Sequence, residues 1–318
     1  MGEYRARVGL ARENDRRANV FTALELVRDD VIPKLADRVM LKPNFFSSAS
    51  QITSTHVDAA WGVIDFLQTV PNPPSEIIVA EGGNEAYSGE AFDNYGYGSL
   101  VTDAPFAVRF VDLNQEEHWR KAEILLADGS SYTVRMPRTV LDCPCTISLA
   151  VAKTHDVCVA TLAFKNMIMG TIHRADRVMM HGFHSHDRRE LPREAQVLNV
   201  NLMRVARHLS PDIGVIDGTV GLEGNGPGGT ESVSWGVAAA SADTFAADAV
   251  MAKAMGFEPL DLGWLAYAHQ LGYGVADLDE IEVIGTSIGA VSTRFKPHET
   301  TDLQLQWRSP EFAAHLPE

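Results

Sequence analysis

Two hydrophobic periods take turns along this chain, one near 2 and one near 3.6, and together they predict an α/β fold. Arg5–Leu10 reads as an opening strand, followed by a helix over about Val20–Lys34. Arg38–Leu41 is a second strand that ends at Lys42-Pro43-Asn44. In Thr55–Thr69 the residues Val57, Ala60, Trp61, Ile64 and Leu67 recur at helical spacing, and Asn72-Pro73-Pro74 stops the run. Glu76–Ala80 is a short buried strand ending at Glu81-Gly82-Gly83, and Val108–Asp112 is another. Ala122–Ala127 and Ser131–Met136 flank Asp128-Gly129-Ser130, a hairpin signal.

Further on, Thr146–Ala152 is a continuous apolar strand and Val197–His208 is helical. Ile213–Ile216 is a strand ending at Asp217-Gly218, Thr244–Met255 is an Ala-rich helix, and Ile281–Ile284 closes the series. Strands alternating with helices predict a largely parallel mixed sheet with flanking helices and an antiparallel hairpin insert. The unit spans residues 1–318 either as one body or as two lobes divided near residues 145–155. Gly221–Gly229 is too short for a linker and reads as an ordered loop.

The chemistry gathers where apolar strands end, the place where open α/β sheets bind ligands. Lys42 and Asn44, Glu81, Lys153 and His155, and Asp217 all stand at such ends. Any one of them could be an ordinary solvated charge; several together point to a site if their strands are neighbours. Lys153-Thr154-His155 is the sharpest group, since a lysine can hold a carboxylate or phosphate while an imidazole moves a proton. A partly desolvated lysine there could also serve as a base or a Schiff-base amine. Lys165-Asn166 follows an apolar run, and a charge in such a setting needs a partner, either a substrate anion or Glu81 or Glu223. In Gly221–Gly229, Glu223, Gly224 and Asn225 could let a ligand approach the main chain; a plain wide turn is the simpler reading.

Four histidines, His173, His181, His184 and His186, lie close together beside Asp187. Imidazoles at this density suit a divalent metal, with His181, His184 and His186 as its ligands. No H-E-x-x-H spacing is present, and a solvated basic rim beside Arg188 and Arg189 is the plainer alternative.

Composition narrows the partners. The chain holds 27 Lys and Arg against 42 Asp and Glu, a formal charge of −15. So acidic a surface disfavours nucleic acid and anionic membrane, leaving a small anionic metabolite as the expected ligand. Three cysteines, Cys143, Cys145 and Cys158, are too few for an iron–sulfur cluster or a disulfide framework. No G-x-G-x-x-G nucleotide fingerprint lies between a strand and a helix, and there is no phosphate-binding G-x-x-x-x-G-K-[ST] loop. The N-terminal residues lack an apolar signal segment and no run is long enough to span a membrane, so a cytoplasmic location is expected. Association into a homo-oligomer stays open.

Taken in order, several segments resemble the domain of unknown function 362 family (DUF362). They run from Leu41-Lys42-Pro43-Asn44 and Glu81-Gly82-Gly83 through Pro137–Asp142, Val151–His155, Thr161–Asn166 and Asp217-Gly218. Glu223–Pro227, Asp243–Asp248 and Ile281–Gly285 complete the series. The resemblance implies that Lys42, Asn44, Lys153, His155, Lys165, Asn166, Asp217 and Glu223 share one site. Many members carry a ferredoxin-like cysteine cluster, which this chain lacks, so the resemblance does not extend to electron transfer. The expectation is an enzyme acting on a small carboxylate or phosphate by proton transfer, such as isomerisation, elimination or cyclisation. Lys42 and Lys153 would bind the anion with Asn44 and Asn166, and His155 would act as acid or base oriented by Asp217 or Glu81. A metal-dependent enzyme built on the His173–His186 cluster and a non-catalytic anion or metal-group carrier are the alternatives.

Overall fold

The computed structural model describes residues 5–85 and 87–317; Met1–Tyr4, at the start of the segment read for a targeting signal, lie outside them. Eleven strands, numbered along the chain, carry the architecture among the described residues. They are β1 (Ala6–Arg12), β2 (Arg38–Lys42), β3 (Glu76–Glu81), β4 (Ala107–Asp112), β5 (Trp119–Leu125) and β6 (Ser131–Pro137). After them come β7 (Thr146–Thr154), β8 (Ala160–Thr161), β9 (Ile213–Leu222), β10 (Ser232–Ser241) and β11 (Ile281–Gly285).

Nine of these form one sheet in the order β11-β1-β10-β9-β7-β2-β3-β4, with short β8 paired to β7. Every strand of it runs the same way except β10 and β8. From β2 the chain steps outward through β3 to β4, then returns to place β7 on the other side of β2. The order therefore reverses between β2 and β7, and a crevice opens at the carboxyl ends of strands at such a reversal. The mixed, mainly parallel sheet agrees with the expectation from sequence. Strand β7 bonds to β2 on one side and β9 on the other, so residues 145–155 join the two halves of the sheet where a division was considered.

Helices cover both faces. Arg16–Leu26 and Val57–Thr69 pack Val20, Leu24, Ile64 and Leu67 against Leu41, Val79 and Leu149. Ala163–Met169, Arg193–Leu209, Thr244–Ala254 and Gly263–Gln270 bring Phe164, Leu198, Val250 and Trp264 to the face of Met40, Ala80 and Ala150. The β5–β6 hairpin stands apart as a two-stranded sheet with Leu125 opposite Ser131. Its turn needs Gly129, which sits at φ +86, and Asp128 Oδ1 accepts the Ser130 N–H at 2.9 Å.

Three local readings are corrected. The first helix starts at Arg16, capped by the Asp15 side chain, and breaks at Val27, after which the short helix Arg28–Val31 and a 3-10 turn, Ile32–Lys34, carry the run on to Lys34. Strand β9 runs on to Leu222, so Gly221 and Leu222 are strand and only the remainder of the glycine-rich stretch is loop. Strand β10 went unread because Val237-Ala238-Ala239-Ala240 lacks the β-branched alternation that marks a strand. Among the described residues no helix is long and apolar enough to cross a membrane.

Candidate active site

Lys42 ends β2 but turns inward, and its ammonium is fully buried. Three acceptors meet its three hydrogens: the Glu81 carboxylate at the end of β3, Pro43 O at 3.0 Å and Asn166 Oδ1 at 3.1 Å. Burial pushes the lysine down and the carboxyl up, each opposed by the other's charge. Gly170, directly after helix Ala163–Met169, leaves room for this pair, since a Cβ there would collide with Lys42 Nζ. The reading of Lys42 as a direct anion ligand is therefore corrected: its positive charge is consumed by Glu81.

Lys153, one residue before the end of β7, is 1% exposed yet reaches the cavity wall. Its Nζ donates to Asn44 Oδ1 at 2.7 Å and Thr53 O at 3.0 Å, and lies 5.0 Å from the Phe46 ring centre. Among the described residues no carboxylate pairs with it. Burial, reinforced by the charge of Lys165 and then Lys42, brings it from 10.5 down to about 7, against the pull of Glu81. Asn44 and Asn166 hold the two lysines apart and in place: Asn44 Nδ2 donates to Asn166 Oδ1 at 3.0 Å, and Asn166 Nδ2 donates to Ser148 Oγ at 2.9 Å. They orient lysines more than they offer donors to a ligand.

His155 is buried, and Lys165 Nζ lies 2.8 Å from its Nε2. On the other side, Nδ1 accepts the Val157 N–H at 3.0 Å and stands 3.0 Å from Asp156 Oδ1. Burial and then the charge of Lys165 hold the imidazole well below its usual range, so it is neutral at pH 7. Polar partners at both ring nitrogens fix the imidazole in the cavity wall between Lys165 and Asp156. Lys165 itself is positioned by the start of its helix, where both oxygens of buried Asp248 accept the N–H groups of Ala163 (2.8 Å) and Phe164 (2.9 Å).

These groups face one cavity of about 610 Å³ at the β2/β7 crevice, which Asn44, Glu81, Lys153, His155, Lys165, Asn166 and His181 help to line. Sequence reasoning missed its arginines. Arg177 spends single N–H bonds on Ile172 O (3.0 Å), Gly83 O (2.9 Å) and Asn114 Oδ1 (3.2 Å), all neutral acceptors. Burial brings it down to about 10, with Glu81 opposing and Arg174 assisting. Arg189 is bound to Glu194 (2.5 Å) and Asp156 (2.9 Å), while Arg174 lies at the exposed rim. Nothing local in the sequence singles out Arg177, because it follows no strand and sits among other arginines.

Other expected members are elsewhere. Asp217 pairs with Arg16 at 2.8 Å in a second cavity of about 320 Å³ with His56, so it does not orient His155. Glu223 accepts the Lys296 N–H (2.8 Å), Gly224 N–H donates to Lys296 O (2.7 Å), and Asn225 bonds Glu299 (3.2 Å). These three tie the glycine loop to the 296–299 segment, and it is Pro227 that reaches the cavity. The histidines diverge as well. His181, buried against Glu194 at 2.5 Å, and the exposed His186 still line the first cavity, whereas His184 is exposed outside its lining and His173 stacks edge-on against Trp119. Among the described residues the one group with ligand atoms close enough for a metal is His269, Asp277 and Glu280, outside the proposed set.

Over 254 residues, 75% of this chain and 69% of the relative, the sequence is 25% identical to a thylakoid-associated protein of Synechocystis sp.. The solved lactate racemase apoprotein from Thermoanaerobacterium thermosaccharolyticum is similar at a TM-score of 0.45 and 10% identity. That alignment covers 68% of this chain and 52% of the other, so the chain spans about half the length of that structure, and nothing about the site rests on it. The profile of the family described as Domain of unknown function (DUF362) matches residues 39–253, and by that match, over most of its length, the chain belongs to the DUF362 family.

Proposed function

We propose that this protein is an enzyme acting on a small anionic metabolite, a carboxylate or phosphate, through proton transfer assisted by Lys153 and the His155–Lys165 pair. One observation carries this reading. Four cationic side chains (Lys165, Arg174, Arg177 and Arg189) and the amine of Lys153 line a single cavity against two carboxylates, Glu81 and Asp156, in a chain of net charge −15. Such a concentration focuses the local field on an anion while the remaining surface repels polyanions. A lysine that loses its proton near pH 7, beside a neutral imidazole, supplies a base and a proton carrier at the operating pH.

The test has two stages. Isothermal titration with inorganic phosphate and a series of small mono- and dicarboxylates should find a ligand that Lys153→Ala weakens. Proton NMR in D2O should then show the bound acid exchanging a carbon-bound hydrogen with solvent, and His155→Ala should abolish the exchange. Absence of binding by every anion sinks the proposal; binding without exchange would turn it into a carrier.

A further inference from the structure

Three lysines of the crevice are buried, and two of them, Lys42 and Lys153, differ in how many acceptors they meet, a difference that separates an ammonium from an amine. Lys42 Nζ has three acceptors for three hydrogens, one of them the Glu81 carboxylate. Lys153 Nζ has two, Asn44 Oδ1 and Thr53 O, both neutral. A neutral –NH2 has two hydrogens and one lone pair. Two acceptors satisfy both hydrogens and leave the lone pair without a donor, on a residue that lines the cavity.

From this geometry we infer that Lys153 is a nucleophilic amine that forms an imine with a carbonyl compound bearing an anionic group. The inference rests on the anion-site reading above and names its substrate class. The anionic group would be taken by Arg177, which lines the same cavity and has N–H groups left over after its three bonds to neutral acceptors. In the reaction the Nζ lone pair attacks the carbonyl carbon and the carbonyl π electrons move to oxygen. The two amine hydrogens leave with that oxygen as one water, and a C=N bond remains. His155, with Lys165 at one ring nitrogen and Asp156 at the other, lies two residues from Lys153 and can carry the protons that this dehydration moves. Burial first, and then the Lys165 and Lys42 charges against the pull of Glu81, favour the amine form of Lys153.

The experiment is reductive trapping on the unmodified full chain at neutral pH. Pyruvate, 2-oxoglutarate, glyoxylate and dihydroxyacetone phosphate are each incubated with the protein and sodium cyanoborohydride. Label is then located by intact mass and peptide mapping. The expected result is an added mass of one probe less one oxygen atom, placed on Lys153. Exposed Lys121 and Lys296 should carry far less label and serve as internal controls. Excess of a carboxylate without a carbonyl should compete the label away, and Lys153→Met should lose it.

Label on Lys165 instead, or label spread evenly over the exposed lysines, overturns the inference. So does absence of label with all four probes when titration shows that they bind; that result leaves the anion site standing. If neither the probes nor simple carboxylates and phosphate bind, the anion-site reading and this inference fall together.

Discussion

Replacing Lys153 by methionine keeps an apolar stem of similar length and removes only the amine. The amine's decline from 10.5 to about 7 makes a protonated Lys153 costly to the folded state. At about 1.4 kcal/mol for each pH unit, the cost is roughly 5 kcal/mol near pH 6. The unfolded chain holds this proton until about pH 10, so between about 7 and 10 the folded state binds fewer protons than the unfolded. Wild-type stability therefore rises with pH through that window, by up to roughly 1.4 kcal/mol per pH unit from this group, and the variant lacks the rise. Against this, the variant leaves Asn44 Oδ1 and the Thr53 carbonyl without a donor, at about 2 kcal/mol each. The net expectation is a variant about 1 kcal/mol more stable than wild type near pH 6 and about 3 kcal/mol less stable near pH 10. Urea unfolding of both proteins at matched pH values measures this, because titrating groups that do not interact with Lys153 cancel in the difference. Parallel stability curves would refute the placement of an unpaired amine at Lys153.

Arg177→Lys keeps the charge but loses the planar fork, and should weaken phosphate or carboxylate binding about ten-fold by titration calorimetry. Unchanged affinity would remove Arg177 from the receptor. Asp217→Asn leaves Arg16 without its carboxylate and should cost about 3 kcal/mol in urea unfolding, with anion affinity unaltered. A changed affinity would mean that the two cavities act as one. Asp248→Asn keeps one acceptor oxygen for two helix N–H groups and should lower stability by about 1–2 kcal/mol. It should also perturb the His155 ring resonances in NMR through the helix that carries Lys165, and unaltered resonances would deny Asp248 that positioning role.

Much of the fold could be read locally. β2, β3, β7 and β11 announce themselves as apolar runs bounded by turn residues, and the β5–β6 hairpin by Asp128-Gly129-Ser130. β10 could not, because its inner half is nearly all alanine and becomes a strand only through pairing with β9 and β1. The site divides in the same manner. Lys153 and His155 were legible because polar residues immediately follow a buried strand. The divergence of His181, His184 and His186 was not, since three imidazoles close in sequence can point to the core or to solvent depending on a short turn.

By itself the sequence determined that charged and amide side chains stand where apolar strands surface, and that this chain is an α/β member of the DUF362 family. The first is a consequence of periodicity and of residues adjacent in the chain, and the second of the family match over residues 39–253. Only the tertiary structure decided which of them meet. The reversal of strand order between β2 and β7 sets Glu81 against Lys42 and leaves Lys153 with neutral partners, while Asp217, on β9, turns instead to Arg16. The helix bearing Lys165 and the short helix that begins at Arg177 follow β7 in the chain and are folded back onto the same cavity. Whether a lysine is an ammonium or an amine depends on the number and charge of its acceptors and on its distance from water. Both are set by contacts between residues as many as 124 positions apart, which no local pattern encodes.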